Sequence, residues 1–218
     1  MFTGLIEAQG TILSVVERTG TRRIAVEAPG IAERLKTGDS VAVSGVCLTA
    51  LDIQAPVFHA DLAAETVART SLARLAPGTT VNLELPTPAG APLGGHVVQG
   101  HVDATGTLLA LDPVDPAADR ALTDWWLRVE VPEAIRPFMV EKGSVAIEGI
   151  SLTIARWDGE VAGVAILPHT YSMTNLHTLD VGSPVNLEAD VLVKLAAQRE
   201  EARSTFELTV DYLVANGY

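Results

Sequence analysis

The chain repeats itself. Residues 40–86 lie over residues 144–190 without a gap, residue 40 on residue 144, so that Val43-Ser44-Gly45-Val46-Cys47-Leu48-Thr49 matches Ile147-Glu148-Gly149-Ile150-Ser151-Leu152-Thr153. Thr79-Thr80-Val81-Asn82-Leu83-Glu84 likewise matches Ser183-Pro184-Val185-Asn186-Leu187-Glu188. A third block sets Thr3 to Thr11 on Gln99 to Thr107 at a smaller offset, which places extra residues of the second copy in the Pro- and Asp-rich stretch Leu111 to Asp124. A repeat this long exceeds the roughly 20–50 residues of a solenoid or propeller unit and has the size of a small domain. The copies differ at polar positions: Cys47 faces Ser151, His101 faces Leu5 and Asp190 faces Pro86. Two similar pockets with different jobs are expected, one in each repeat.

With 48% apolar and 19% charged residues among 218, two cores can be buried. A formal charge of −12 gives neither nucleic acid nor an anionic membrane any long-range attraction, and no run reaches the roughly 18 apolar residues of a span. The start Met1-Phe2-Thr3-Gly4-Leu5-Ile6-Glu7 lacks the basic region of a signal peptide. Cys47 is the single cysteine, so no disulfide forms within the chain, in keeping with a reducing cytoplasm. His59, His96, His101, His169 and His177 have no metal-ligand spacing, and no metal is expected.

Short β-branched runs separated by Gly, Pro or Asp fill both halves: Gly10–Val16, Arg23–Glu27, Ser40–Ala50, Val57–Leu62 and Thr80–Leu85, then Gly106–Leu111, Trp126–Val131, Ser144–Ala155, Val161–Leu167 and Pro184–Ala189. About six strands per half predict a small closed barrel, because closure removes exposed edges. Short helices are expected at Pro29–Leu35 and Glu65–Leu75, and again at Pro132–Phe138 and His169–Leu179. The fold class is therefore all-β with a helical tail, divided as 1–97, 98–190 and 191–218. In the tail, Val191 to Ala202 is rich in strong helix formers. Ser204-Thr205-Phe206-Glu207 has capping-box form, and Phe206, Val210, Leu213 and Val214 make an apolar stripe suited to a subunit contact.

The start Met1 to Glu7, Gly45-Val46-Cys47-Leu48-Thr49, Gly94-Gly95-His96-Val97-Val98-Gln99-Gly100-His101-Val102-Asp103, Gly149-Ile150-Ser151-Leu152-Thr153 and Asn186-Leu187-Glu188-Ala189-Asp190 together resemble the riboflavin synthase alpha-chain family, over residues 1 to about 190. The resemblance implies two tandem six-stranded Greek-key β-barrels, a homotrimer helped by the C-terminal helix, and no cofactor. It also implies an activity: a four-carbon unit passes from one molecule of 6,7-dimethyl-8-ribityllumazine, the donor, to a second, the acceptor, giving riboflavin and a ribitylaminopyrimidinedione. The working site would lie between the N-terminal barrel of one subunit and the C-terminal barrel of its neighbour, and association with lumazine synthase is compatible with such a protein.

Carried over by position, the resemblance assigns to the first barrel the substrate-binding stretches Gly4, Leu5, Ile6; Cys47, Leu48, Thr49; and Asp61, Leu62, Ala63, Ala64, Glu65, Thr66. To the second it assigns Gly100, His101, Val102; Lys142; Ser151, Leu152, Thr153; and Ala165, Ile166, Leu167, Pro168, His169, Thr170. A flat heterocycle with amide-like edges needs backbone amides and small hydroxyls at fixed points of an apolar pocket, which the threonines and serines of both copies supply. Four residues are the catalytic candidates. His101 suits removal of a proton from the C7-methyl group, since histidine ionises near neutrality. Cys47 could add as a thiolate or steer water; Asp190 could orient a partner or accept a proton; Ser40, shortly before Cys47 on the same strand, completes the polar set. His96 is expected to support the linker that Gly94-Gly95 begins. A lumazine carrier of the same architecture, without turnover, and an interaction scaffold are the rival readings. Cys47, His101 and Asp190 together favour the enzyme.

Overall fold

In the first repeat, β1 (Ala8–Arg18), β2 (Thr21–Glu27), β3 (Ser40–Val43), β4 (Val46–Thr49), β5 (Leu51–Gln54), β6 (Val57–Ala63) and β7 (Thr80–Glu84) form one antiparallel sheet in the order β4-β3-β7-β1-β2-β6-β5. In the second, β8 (Ala104–Pro113), β9 (Trp125–Glu130), β10 (Ser144–Ile147), β11 (Ile150–Thr153), β12 (Arg156–Trp157), β13 (Val161–Ile166) and β14 (Pro184–Ala189) follow the same course, β11-β10-β14-β8-β9-β13-β12. The computed structural model describes residues 1–204, with side chains to residue 200. In each sheet the end strand curls back, β4 against β6 and β11 against β13, and closes a barrel around its own core. Ile12, Ile24, Phe58, Leu62 and Leu83 fill the first; Leu108, Leu127, Ile147, Ile154 and Leu187 fill the second. A matching bulge bends the long first strand of each, at Leu13 and Leu109, and turns that leucine outward.

Seven strands stand where six were expected. Ser40–Ala50 and Ser144–Ala155 are each a tight hairpin, and the reason lies at the turn: Ser44 and Gly45 (φ 45 and 81), like Glu148 and Gly149 (φ 50 and 79), are both left-handed. That is the two-residue turn whose twist matches antiparallel strands. The helical stretches are also shorter than expected. Ala32–Arg34 and Glu133–Phe138 are 3-10 turns, while α1 (Ala64–Arg69) and α2 (Pro168–Met173) each stop at a threonine and resume as a 3-10 turn, Ser71–Arg74 and Asn175–Thr178. Thr70 and Thr174 donate their hydroxyls back to Thr66 O and Thr170 O, at 2.6 and 2.7 Å, while their own backbone is extended. The additional residues of the second copy form the connection from β8 to β9, as the repeat offset required. The tail begins as α3 (Val191–Ser204). The stripe from Phe206 to Val214 and most of its capping box lie outside the described residues.

The repeats meet through reciprocal polar contacts. Asn186 Nδ2 donates to Ser44 O (2.8 Å) and Asn82 Nδ2 to Glu148 O (2.9 Å); Ser71 N donates to Asn186 Oδ1 and Asn175 N to Asn82 Oδ1, both at 2.6 Å. All of these side chains are buried, so each needs the partner it has. The two hairpin turns touch at this axis. A Cβ on Gly45 would stand 2.6 Å from Gly149 N, and one on Gly149 as close to Gly45 N.

Candidate functional site

A strand at the end of a sheet carries unpaired backbone groups. Here each end strand is completed by the opposite repeat. Cys47 N on β4 donates to Gly100 O (2.9 Å), and Ser151 N on β11 donates to Gly4 O (2.8 Å). The approach is close enough to demand glycine: both Gly4 and Gly100 have positive φ (74 and 78), and their Cβ atoms would lie 2.6 Å from Ser151 Cβ and 2.7 Å from Cys47 Cβ. One residue after each histidine or leucine, the segment inserts an apolar side chain, Val102 against the first core and Ile6 against the second. The two straps are tied to each other by the Phe2–Val98 bridge, with Phe2 N to Val98 O at 2.7 Å.

Two buried carboxylates hold the straps. Glu188 accepts from the backbone N–H of Gln99 (2.7 Å), Gly100 and His101 (both 3.0 Å). Glu84 accepts from Thr3 N (2.6 Å), Thr3 Oγ1 (2.8 Å) and Gly4 N (3.0 Å). Burial pushes both carboxyls above the ordinary glutamate range, and the N–H groups they accept from work against that rise. Each strap is thus anchored to its own repeat by a glutamate and spends its free edge on the other repeat.

This geometry redistributes the binding stretches. Gly4, Leu5 and Ile6 do not belong with Cys47: they line a cavity of about 310 Å³ with Ser151, His169 and Thr170. Gly100 and Val102 lie against Cys47 and the first core, which brings the His101 backbone there too. The cavity at Ser151 is built from both repeats, where one pocket per repeat was expected. The physical reason is the unpaired edge of β11, which takes the strap of the other repeat.

Of the catalytic candidates, Cys47 and His101 lie on adjoining stretches of backbone, through the bond of Cys47 N to Gly100 O, with Cys47 half-buried and His101 exposed. Ser40 is not on the strand of Cys47. It opens β3, pairs with Thr49 across the hairpin, and lines a separate cavity with Leu5 and Pro86. Asp190 caps α3, accepting from Leu192 N at 2.9 Å, and makes no hydrogen bond to Cys47 or His101 among the described residues. Leu48 is buried at the β4 edge and Thr49 exposed beyond it. Leu62, Ala63, Ala64, Glu65 and Thr66 run from the end of β6 into α1, and Ala165, Ile166, Leu167 and Pro168 run from the end of β13 into α2. Leu152 and Thr153 finish β11. Lys142 does not reach the cavity at Ser151; its Nζ donates to Ala155 O at 3.2 Å. The Asp61 carboxylate is taken by Arg23 through two bonds of 2.6 and 2.8 Å, which keeps it below the usual carboxylate range. At the same register of the second barrel, Ala165 pairs with Trp126, so the two barrels differ in polarity at this place.

Sequence reasoning missed the clamps, Glu84 and Glu188, although a glutamate kept inside a strand in both copies is a visible signal. It also missed Met173 and Thr174, which complete the cavity at Ser151. His96 proves more than a linker residue: its Nδ1 lies 2.7 Å from Ser151 Oγ.

The lumazine binding domain family matches the chain twice, over residues 3–86 and 99–190. Riboflavin synthase of Actinobacillus pleuropneumoniae is 36% identical over the whole of both chains. The chain belongs to the riboflavin synthase family. Riboflavin synthase of Mycobacterium tuberculosis strain H37Rv is 40% identical over 89% of this chain and 95% of its own, and that of Bacillus subtilis 33% identical from end to end. Crystal structures of LumP complexed with 6,7-dimethyl-8-(1'-D-ribityl) lumazine and with riboflavin superpose with TM-scores of 0.76 and 0.78, covering 87% of this chain and 99% of theirs. At 24% identity that likeness speaks for the fold. The family's two matched segments end and begin on either side of the Gly94-Gly95 linker, and each contains one strap and the edge that the other strap completes.

Proposed function

We propose that the chain is a riboflavin synthase, a transferase that moves a four-carbon unit between two molecules of 6,7-dimethyl-8-ribityllumazine to give riboflavin and 5-amino-6-ribitylaminouracil. The observation that carries the reading is the strap joining His101 to the Cys47 edge, in a chain whose relatives over its full length are riboflavin synthases. The pocket at Cys47 and the pocket at Ser151 each take one lumazine, through the backbone and hydroxyl groups of the stretches named above. His101 takes the proton of the acidic methyl group. Cys47 adds to the ring or steers water to it. Asp190, at the start of α3, and Ser40 act at the margin of this set. A lumazine carrier needs the pockets and has no use for a thiol and an imidazole on adjoining stretches of backbone.

The working units are residues 1–97 and 98–190, with 191–218 as the oligomerisation segment of a cytoplasmic homotrimer that pairs the first barrel of one subunit with the second of the next. Association with lumazine synthase would hand over the substrate. No described helix is long and apolar enough to cross a membrane.

Purified protein mixed with the lumazine alone is expected to develop the riboflavin absorbance band; saturable binding without it would make the protein a carrier. His101→Gln should lower turnover by about 10²-fold, the ordinary worth of a positioned base, and Cys47→Ser by about tenfold, with the dissociation constant of riboflavin little changed in both. Equal losses in binding and turnover would remove the catalytic assignment. Deleting everything after Asp190 should convert a trimer to smaller species in light scattering, because the stripe from Phe206 to Val214 is lost with α3; an unchanged trimer would refute the role of the tail.

A further inference from the structure

Cys47 and Ser151 occupy the same place in the two barrels, yet among the described residues only the serine has a histidine ring nitrogen within hydrogen-bond distance. Among the described residues no imidazole nitrogen is hydrogen bonded to Cys47. His96 reaches Ser151 from the strap connection, where its own N–H donates to Thr3 O (3.2 Å) and Gly95 makes the approach possible: a Cβ on Gly95 would collide with Thr3 O and stand 2.9 Å from Ser151 Oγ. The far nitrogen, Nε2, is buried without a partner among the described residues. Burial pushes the imidazole toward its neutral form, partly opposed by the charge of Asp190. A neutral imidazole carries one N–H and one bare nitrogen. Buried N–H groups left without an acceptor are rare, so the bare nitrogen belongs at Nε2 and the proton at Nδ1.

We propose that His96 is a positioning residue that makes Ser151 a hydrogen-bond donor: Nδ1–H donates to Ser151 Oγ, and the Ser151 hydroxyl hydrogen is left to point into the cavity of Gly4, Ile6, His169 and Thr170. The group it meets there is an acceptor edge of the ligand, a carbonyl oxygen or unprotonated ring nitrogen. The reverse tautomer would turn the hydroxyl toward His96 and present the ligand with an acceptor instead. The Cys47 pocket lacks this device, so the two lumazines are addressed differently at equivalent points. This inference rests on the riboflavin synthase reading only for the identity of the ligand.

The test has two arms. In the ligand-free wild-type protein, nitrogen-15 resonances of His96 should report the Nδ1–H tautomer; the Nε2–H tautomer would overturn the proposal, whatever the protein's activity. In the second arm, riboflavin formation is measured for His96→Phe, His96→Asn, Ser151→Ala and the double variant His96→Phe/Ser151→Ala. Loss of one hydrogen bond in a closed pocket should cost each of His96→Phe and Ser151→Ala about tenfold. Asparagine offers an N–H at the place of Nδ1 and should recover most of that loss. The double variant should be no worse than either single one, since His96 acts through Ser151. Additive losses, or no recovery with asparagine, would make His96 merely structural. A wild-type protein that forms no riboflavin would sink the assigned activity while the tautomer still decides this proposal.

Discussion

Gly100→Ala is expected to lower riboflavin formation by about 10³-fold, equivalent to about 4 kcal/mol of transition-state stabilisation, with the barrels still folded by circular dichroism. The added methyl group would stand 2.7 Å from Cys47 Cβ and 2.9 Å from Cys47 N, both within the paired edge of β4, and φ of +78 is itself unfavourable for alanine. The strap must move away. When it does, Cys47 N loses its acceptor, Val102 leaves the core, and His101 is carried off with it, so thiol and imidazole are displaced in one event. The equivalent change at Gly4 strikes Ser151 and the other pocket. Riboflavin formation within tenfold of wild type for Gly100→Ala would mean that the Cys47 edge is not the place of the chemistry.

Glu188→Gln should destabilise the protein by about 1–3 kcal/mol, the cost of leaving buried N–H donors without an acceptor, read as a shift in the urea midpoint. A glutamine can accept from one side only; its amide nitrogen would face the N–H groups of Gly100 and His101, donor against donor. The pH dependence carries a second signature. Because the folded-state pKa of Glu188 and of Glu84 is raised, each favours folding most when protonated, below the ordinary glutamate value of about 4.3. That contribution is lost as pH rises through the raised value. Replacing either by glutamine should flatten this fall in the weakly acidic range. A wild-type stability that climbs through that range by the same amount in the variants would show that neither carboxylate titrates there.

The repeat, the strands and the place of the extra residues could be read from sequence because each rests on a local pattern: period-two alternation in β2 and β9, and a constant offset between motifs. The hairpins escaped because Ser44-Gly45 and Glu148-Gly149 sit inside otherwise unbroken β-branched runs. The makeup of the pockets escaped for a different reason. The nearest match of Gly4-Leu5-Ile6 in the chain is Gly100-His101-Val102, and only the spatial demand of an unpaired edge decides which barrel each strap serves. Likewise nothing local in Ser40 says that it faces Leu5 and Pro86, and Asp190 looks reactive in sequence while its carboxylate is occupied with the first turn of α3.

The exchange of straps also sets an order of events for a chain made from its first residue onward. The strap of the first barrel arrives directly after β7, so that barrel can close as soon as residue 102 emerges. The second barrel depends on Gly4, made long before it, which must wait for β11 without adding itself to some other open edge. Glu84 is in place before that wait is over. By holding Thr3 and Gly4 against β7, it keeps this strap beside the first barrel, with the Gly4 carbonyl free for the amide of Ser151 when that residue arrives.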